Sequence, residues 1–342
     1  MDLACIRTNV REIKRRAGTS VCCVIKADAY GHGLGPVAAV LSGDADMFAV
    51  ARAEEAFAAS RAAPGVKVLV LGVVEAAYAG DLIDTGVYFT VSSMDELKLL
   101  DGIARKRRKS ALVHVKVDTG MRRLGAPPAE AARIFGALAG FASVRVEGVY
   151  THFADEGGDF SREQFRIFSE IAPQNCVRHC ANSYHALNCP EYRLDMVRPG
   201  IALYGYGAGL KPAVSWTAEI IQVNAVEAGE TVGYGRRYAA PAPREIAVVN
   251  AGYGDGFPRL INTGTVRVRG RDCPIVGSVC MDMLFTDVTG LGAKPGDKVI
   301  LYGPDGVIAL AAAANTIPYV LLCAVTPRVK RHWIDTDDKL RY

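Results

Sequence analysis

Over roughly the first 210 residues, short β-branched and apolar runs alternate with stretches whose apolar positions recur at helical spacing. Candidate strands lie at "VCCVI" (21–25), "DMFAV" (46–50), "VKVLVL" (66–71), "GVYFT" (86–90), "ALVHVKV" (111–117), "SVRVEGVY" (143–150), around "CVRHC" (176–180) and near "DMVRPGIALYG" (195–205). Helical patterns fall between them at 53–63, 93–106, 128–140 and 162–172. Such alternation is the pattern of parallel βαβ units. Eight strands in this length match a (β/α)8 barrel, whereas a doubly wound sheet more often stops at five or six. The pattern changes after the glycine-rich "YGYGAGLKP" (204–212), where short strands and turn residues replace amphipathic helices until about residue 308. The expected architecture is therefore an α/β chain: an N-terminal (β/α)8 barrel over 1–211, then a mostly β C-terminal domain over 212–342. No repeat of solenoid period is present.

The most apolar segment, "VIALAAAANTIPYVLLCAV" (307–325), is interrupted at its centre by Asn315, Thr316 and Pro318. A membrane span would tolerate polar groups least at that point, so a helix followed by a buried strand is expected, and no membrane partner. Half of the 342 residues are hydrophobic and 22% are charged, a globular composition. The formal charge of +4 is only mildly basic. The basic run "ARKRRKS" (104–110) lacks interleaved aromatics and a second stripe. It is expected to be a solvated helix end, and no nucleic-acid partner is anticipated. Nine cysteines, an odd number without framework spacing, argue against a disulfide scaffold. "MDLACIRTNVREIKRRAG" looks like an amphipathic helix rather than a signal peptide, so a reducing, cytoplasmic setting is expected.

A barrel builds its active site at the C-terminal ends of its strands. On that map Lys26 follows strand one, and Lys116, Asp118 and Arg123 follow strand five. His152 follows strand six, Asn182 and Ser183 follow strand seven, and Arg198 and Gly200 belong to strand eight. The last two loops are where barrels commonly bind phosphate, and Ser183 with the N–H groups of Gly200 and Ile201 would suit one. A lysine at a strand end is ordinarily a surface cation. Rooted on a barrel strand and facing a phosphate pocket, it is also what a Schiff base to pyridoxal phosphate requires, because burial near other cations favours its neutral, nucleophilic form. "CVRHCANSYH" is superficially zinc-like, but a lone C-x3-C without a second pair is weak, and no metal is expected. "GYGDGF" and "YGYGAG" lack the strand–turn–helix context of a dinucleotide site.

"VIKADAYGHG" resembles the cofactor-lysine motif of the alanine racemases, a fold-type III pyridoxal 5'-phosphate family. "KVDTGMRRLG", "VYTHFA", "NSYHAL", "DMVRPGIALYG", "VGYGRRY", "GYGDGFPR", "VCMD" and "TIPY" resemble further blocks of that family, in its order, across residues 21 to 319. The resemblance implies that Lys26 carries the cofactor and exchanges a proton on one face of the substrate. Tyr234 would be its counterpart on the other face, reaching the site from the partner chain of a homodimer. A phenol is a poor base at neutral pH; His152 and Arg198 are the groups that would lower the cost of its ionised form. Arg198 would also meet the cofactor's pyridine nitrogen, and since a guanidinium does not deprotonate it would keep that ring a weak electron sink. Arg123 would contact the cofactor and the substrate carboxylate, and Lys116 matches a lysine often carbamylated in the family. Tyr30, Asn182, Ser183, Gly200, Ile201 and Tyr319 would bind the cofactor, while Tyr253, Met281 and Asp282 would be the partner's substrate side.

The chain departs from the family pattern at Arg122, where glycine is usual, and at Ser278, where arginine is common. It departs again at Gly233 and Val320, where serine and glutamate are frequent. The implied activity is interconversion of L- and D-alanine by two bases, supplying D-alanine for peptidoglycan. Serine or a broader range of amino acids is the alternative that Arg122 and Ser278 leave open. A non-catalytic carrier of the cofactor would have no need of Tyr234, and a decarboxylase on this architecture generally pairs the pyridine nitrogen with an acid rather than Arg198.

Overall fold

Strands that are apolar from end to end need cover on both faces, which parallel βαβ construction supplies. The computed structural model, which describes residues 1–303 and 306–335, folds them that way. Eight parallel strands, β1 (Ser20–Val24), β2 (Met47–Val50), β3 (Lys67–Val70), β4 (Tyr88–Val91), β5 (Ala111–Lys116), β6 (Val144–Tyr150), β7 (Val177–His179) and β8 (Met196–Val197), run β7-β6-β5-β4-β3-β2-β1-β8. Every residue of β2 and β4 is buried. Backbone bonds from Asp195 N to Arg178 O (3.1 Å) and from Arg198 N to Ala181 O (2.9 Å) join the last two strands and close the barrel. β8 is much shorter than the run 195–205, because Pro199 lacks a ladder donor and the chain turns at Gly200 into a 3-10 helix, Ile201–Tyr204.

Connecting helices follow their local sequence signals. Helix Met94–Arg107 is capped by Ser93, whose Oγ accepts from Glu96 N at 3.2 Å, while the Glu96 carboxylate accepts from Ser92 N at 2.6 Å. Arg105, Lys106 and Arg107 close it, where cations oppose the helix dipole. Arg107 pairs with Asp81 and Asp84, and Lys109 with Asp84. The basic run is thus an ion-paired helix end.

The chain divides into two units, Leu3–Lys211 with Asp335, and Pro212–Ile334 with Met1–Asp2. In the second, β9 (Trp216–Val226), β10 (Thr231–Val232), β11 (Tyr238–Ala239), β12 (Arg244–Val249), β13 (Thr265–Val268), β14 (Arg271–Pro274), β15 (Leu284–Asp287) and β16 (Lys298–Tyr302) are antiparallel. Six form one sheet, β14-β13-β16-β9-β12-β15, and β10 and β11 make a separate hairpin. Trp216, Phe257 and Tyr302 pack edge to face in its core. The segment 307–325 differs from the helix-then-strand expectation: it belongs to two helices, Gly306–Ala313 and Pro318–Ala324, bent by 100°. Pro318 sits in the first helical turn, where its missing N–H costs nothing. Among the described residues, no single helix is long and apolar enough to cross a membrane. Residues 336–342 of the expected second domain lie outside the described residues.

Candidate active site

The corner after β1 is the most constrained backbone in the barrel. Ala27, Asp28, Ala29 and Tyr30 are consecutively left-handed, with φ of 52–53°. That conformation costs roughly 1–2 kcal/mol per non-glycine residue, so surrounding contacts must hold it. Glu55 accepts from Ala27 N at 2.6 Å and also from Ala51 N and Arg52 N. Asp28 accepts from Leu34 N at 2.7 Å. His32 is buried against Ala29 and Tyr30 carbonyls through Nδ1, and its ring stacks on Tyr204 at 4.3 Å. Gly31 and Gly33 have positive φ and let the chain leave the turn. The residues spent on this corner thus aim Lys26 and Tyr30 from a fixed frame.

Tyr30, Ser183 and Gly200 form a small polar cradle. Asn182 caps helix Ser183–Asn188 and accepts from His185 Nδ1 at 2.9 Å, which locks the turn carrying Ser183. Ser183 Oγ accepts from Gly200 N at 2.9 Å and Ala202 N at 3.3 Å. A Cβ at Gly200 would stand 2.5 Å from the Tyr30 hydroxyl, so only glycine permits this approach. The Tyr30 and Ser183 hydroxyls thus flank a glycine where no side chain fits, a setting that suits an anionic group such as phosphate.

Across the barrel mouth the charges are almost all of one sign. Arg198 is 4% exposed and Lys116 6% exposed. Among the described residues, no carboxylate pairs with Lys116, Arg123 or Arg198. Burial first, then Arg123, Arg198 and Lys26, bring the Lys116 ammonium down to about 8. Burial and the same cations hold His152 well below its ordinary value, so its imidazole is neutral. Arg198 donates to His179 Nδ1 (2.8 Å), Thr151 O (2.7 Å), Cys180 O (3.2 Å) and His152 Nδ1 (3.4 Å). The Tyr150 ring contacts both cations, with Arg198 at 5.0 Å and Lys116 at 5.5 Å from its centroid. Buried cations without anions are costly, and an anionic ligand would balance them. Lys26, Lys116, Arg123, His152 and Arg198 influence one another's charge and form one cluster. Residues 176–185, superficially zinc-like, disperse: His179 serves Arg198, His185 serves Asn182, and Cys180 is buried against Tyr192 O. Among the described residues, no group of three or more His, Cys, Asp or Glu is placed to hold a metal.

In the second unit, Tyr234 begins a 3-10 turn between β10 and β11 and is 75% exposed. Gly233 has φ of 71°, and a Cβ there would stand 2.9 Å from the Phe285 ring, which accounts for glycine at this position. Tyr253 N donates to Cys280 O (3.0 Å) and Gly254 N to Met281 O (2.8 Å), so Tyr253, Met281 and Asp282 share one stretch of surface. Asp282 accepts from Arg328 at 2.6 Å. Tyr319, on helix Pro318–Ala324, is likewise exposed. Sequence reading passed over Glu55, Asp28 and His114. The first two give no signal beyond being acids, and His114 looks like one more strand position.

A closed barrel with a strand-end lysine, a hydroxyl-lined cradle and uncompensated cations at its mouth defines a class: barrel proteins that take an anionic, phosphate-bearing cofactor. Residues 1–208 match the family model described as the alanine racemase N-terminal domain, and 213–333 that of the alanine racemase C-terminal domain. The chain belongs to the alanine racemase family. It is 38% identical to the alanine racemase of Desulforamulus reducens, over 98% of both chains. Among solved structures, alanine racemase from Streptomyces coelicolor superposes with a TM-score of 0.94 at 32% identity, covering 98% of this chain and 97% of that one. The Bartonella henselae alanine racemase, solved with covalently bound pyridoxal phosphate, superposes at 0.91 and 30% identity over 98% of each.

Proposed function

We propose that this protein interconverts L- and D-alanine with pyridoxal 5'-phosphate. The observation that carries the reading is the cationic cluster, with Arg198 and Lys116 buried in it, around a lysine that opens a left-handed turn, beside the Tyr30–Ser183–Gly200 cradle. When bound, the cofactor would supply an electrophilic carbonyl and a conjugated ring that acidify the substrate α-proton. Lys26 Nζ would hold it covalently and exchange the proton on one face. Tyr30, Asn182, Ser183, Gly200, Ile201 and Tyr319 would bind its phosphate end, and Arg123 would bind the substrate carboxylate and orient it. Inversion at Cα needs a proton donor on the opposite face, and Tyr234 Oη of a partner chain would provide it. His152 is neutral and its Nδ1 accepts from Arg198, so its proton is on Nε2, free to donate toward a phenolate. Arg198, always a donor, would leave the pyridine nitrogen unprotonated. Carbamylation of Lys116 would turn a cation into the anion that the cluster lacks.

In this reading the chain works as a homodimer with shared sites in the cytoplasm, supplying D-alanine to peptidoglycan, and Tyr253, Met281 and Asp282 face the partner's substrate. The test is incubation in deuterated water with pyridoxal phosphate and L-alanine, L-serine or L-lysine, following α-proton exchange and D-isomer together. D-alanine appearing fastest, with exchange, is the expected result. Faster D-serine would transfer the reading to serine, and neither exchange nor D-isomer would leave a carrier.

A further inference from the structure

His114 sits on β5 inside the barrel, 1% exposed, and the mechanism above makes no use of it. Its Nδ1 lies 2.8 Å from His179 Nε2, and His179 Nδ1 lies 2.8 Å from Arg198 Nη1. Proton placement along this chain follows from one fact. A guanidinium can only donate. His179 Nδ1 therefore accepts, His179 carries its proton on Nε2, and that proton is given to His114 Nδ1. His114 must then carry its own proton on Nε2, an atom that is buried and without a hydrogen-bond partner. Burial, Arg198 and Lys67 bring its pKa down to about 3, consistent with a neutral ring.

The barrel makes specific room for this imidazole. Pairing between β5 and β6 runs Val113 with Val146 and then His114 with Gly148, so Glu147 is bulged out opposite the histidine. A Cβ at Gly148 would come within 2.6 Å of the His114 ring. Tyr88 meets the ring edge to face at 5.6 Å. A strand position filled only for packing would need neither the bulge nor the glycine, and would not leave a buried N–H unsatisfied, which is a cost.

We propose that His114 is a positioning residue: by accepting the His179 Nε2 proton, its Nδ1 keeps that ring turned with Nδ1 toward Arg198 and so holds the guanidinium in place. The inference rests on the cofactor reading of Arg198 above. Its test separates the acceptor from the volume, using the holoenzyme. His114→Asn keeps an acceptor near Nδ1; His114→Leu keeps bulk and removes it; Gly148→Ala keeps the histidine and displaces it. In 15N-histidine spectra, wild type and His114→Asn are expected to show His179 as the Nε2–H tautomer, while His114→Leu and Gly148→Ala lose that signature. The same two variants should shift the absorbance of bound pyridoxal phosphate and lower kcat at least about tenfold, with KM within about twofold. Equal damage from Asn and Leu would reduce His114 to packing and overturn the proposal. So would an unchanged His179 tautomer in His114→Leu. Wild-type protein that fails to bind pyridoxal phosphate, yet shows the tautomer chain, would instead sink the cofactor reading and leave the chain of protons standing.

Discussion

The residues at the barrel mouth and those on the C-terminal surface are treated oppositely by the fold. Arg198, Lys116 and Tyr30 are buried and gripped by the chain's own atoms, whereas Tyr234, Tyr253 and Met281 are exposed on turns anchored through backbone bonds. The barrel accepts two costs, left-handed backbone and unpaired cations, that only a function explains. No comparable cost attaches to the Tyr234 side chain. The contrast is what a divided site would require: one half preorganised for a cofactor within the chain, the other displayed for use elsewhere. The sharpest way to break it is to remove one group from each half. Lys26→Ala should lower kcat on the order of 10⁴-fold and abolish the absorbance of covalently bound cofactor. Tyr234→Phe should lower kcat by about 10²–10⁴-fold while retaining that absorbance, and should not move the denaturation midpoint. Mixing the two variants should restore activity through hybrid dimers. Confirmed subunit exchange without restored activity would remove the shared site.

The cradle offers a milder break. Gly200→Ala places a Cβ against the Tyr30 hydroxyl. Overpacking of this kind costs about 1–3 kcal/mol, so pyridoxal phosphate affinity should fall about 5- to 150-fold by absorbance titration, at 1.4 kcal/mol per tenfold. Unchanged affinity would move the phosphate elsewhere.

Most of the barrel was legible because its strands are apolar runs bounded by turns, and their ends located Lys26, Lys116, Arg123, His152 and Arg198 from topology alone. Residue roles came from family motifs rather than from spacing. The tautomer chain was not legible: His114 and His179 are 65 positions apart and meet only when β5, β6 and β7 are placed side by side. The left-handed turn also escaped, since "KADAY" carries good helix formers and no glycine. Helix Pro318–Ala324 was misread because a short apolar run has no period to separate helix from strand.

Lys116 allows the buried charge to be weighed. Its ammonium is lowered in the fold from 10.5 to about 8. At about 1.4 kcal/mol per pH unit, this corresponds to a penalty of roughly 3 kcal/mol. Between those values the unfolded chain binds more protons, so stability rises with pH through that window; the penalty is complete below about 8. Cofactor-free Lys116→Met should therefore be more stable than wild type at pH 7, by up to about that amount, and should lose the rise above pH 8. Urea denaturation at pH 7 and 9 decides it. A destabilised variant at pH 7 would mean that the wild-type lysine no longer carries its positive charge, as conversion to the carbamate anion would bring about, and the wild-type chain would then be expected to be heavier by one CO2.

The smallest effect lies at Arg122, which adopts φ of 57° with its N–H bonded to Asp118. Left-handed backbone costs an arginine about 1 kcal/mol more than a glycine, offset in part by the freedom that glycine gives the unfolded chain. Arg122→Gly should therefore change stability by about 0.5 kcal/mol or less, with the Asp118 turn intact because its bonds come from main-chain donors. With stability nearly fixed, any change in the kcat/KM ratio for alanine against serine belongs to the guanidinium itself. Beside Arg123, a second cation would add attraction for any carboxylate, common to all amino acids, so KM should rise for both substrates while their ratio holds. A ratio that moves more than about fivefold, roughly 1 kcal/mol, would mean that Arg122 reads the substrate side chain, and the barrel half would then set specificity as well as hold the cofactor.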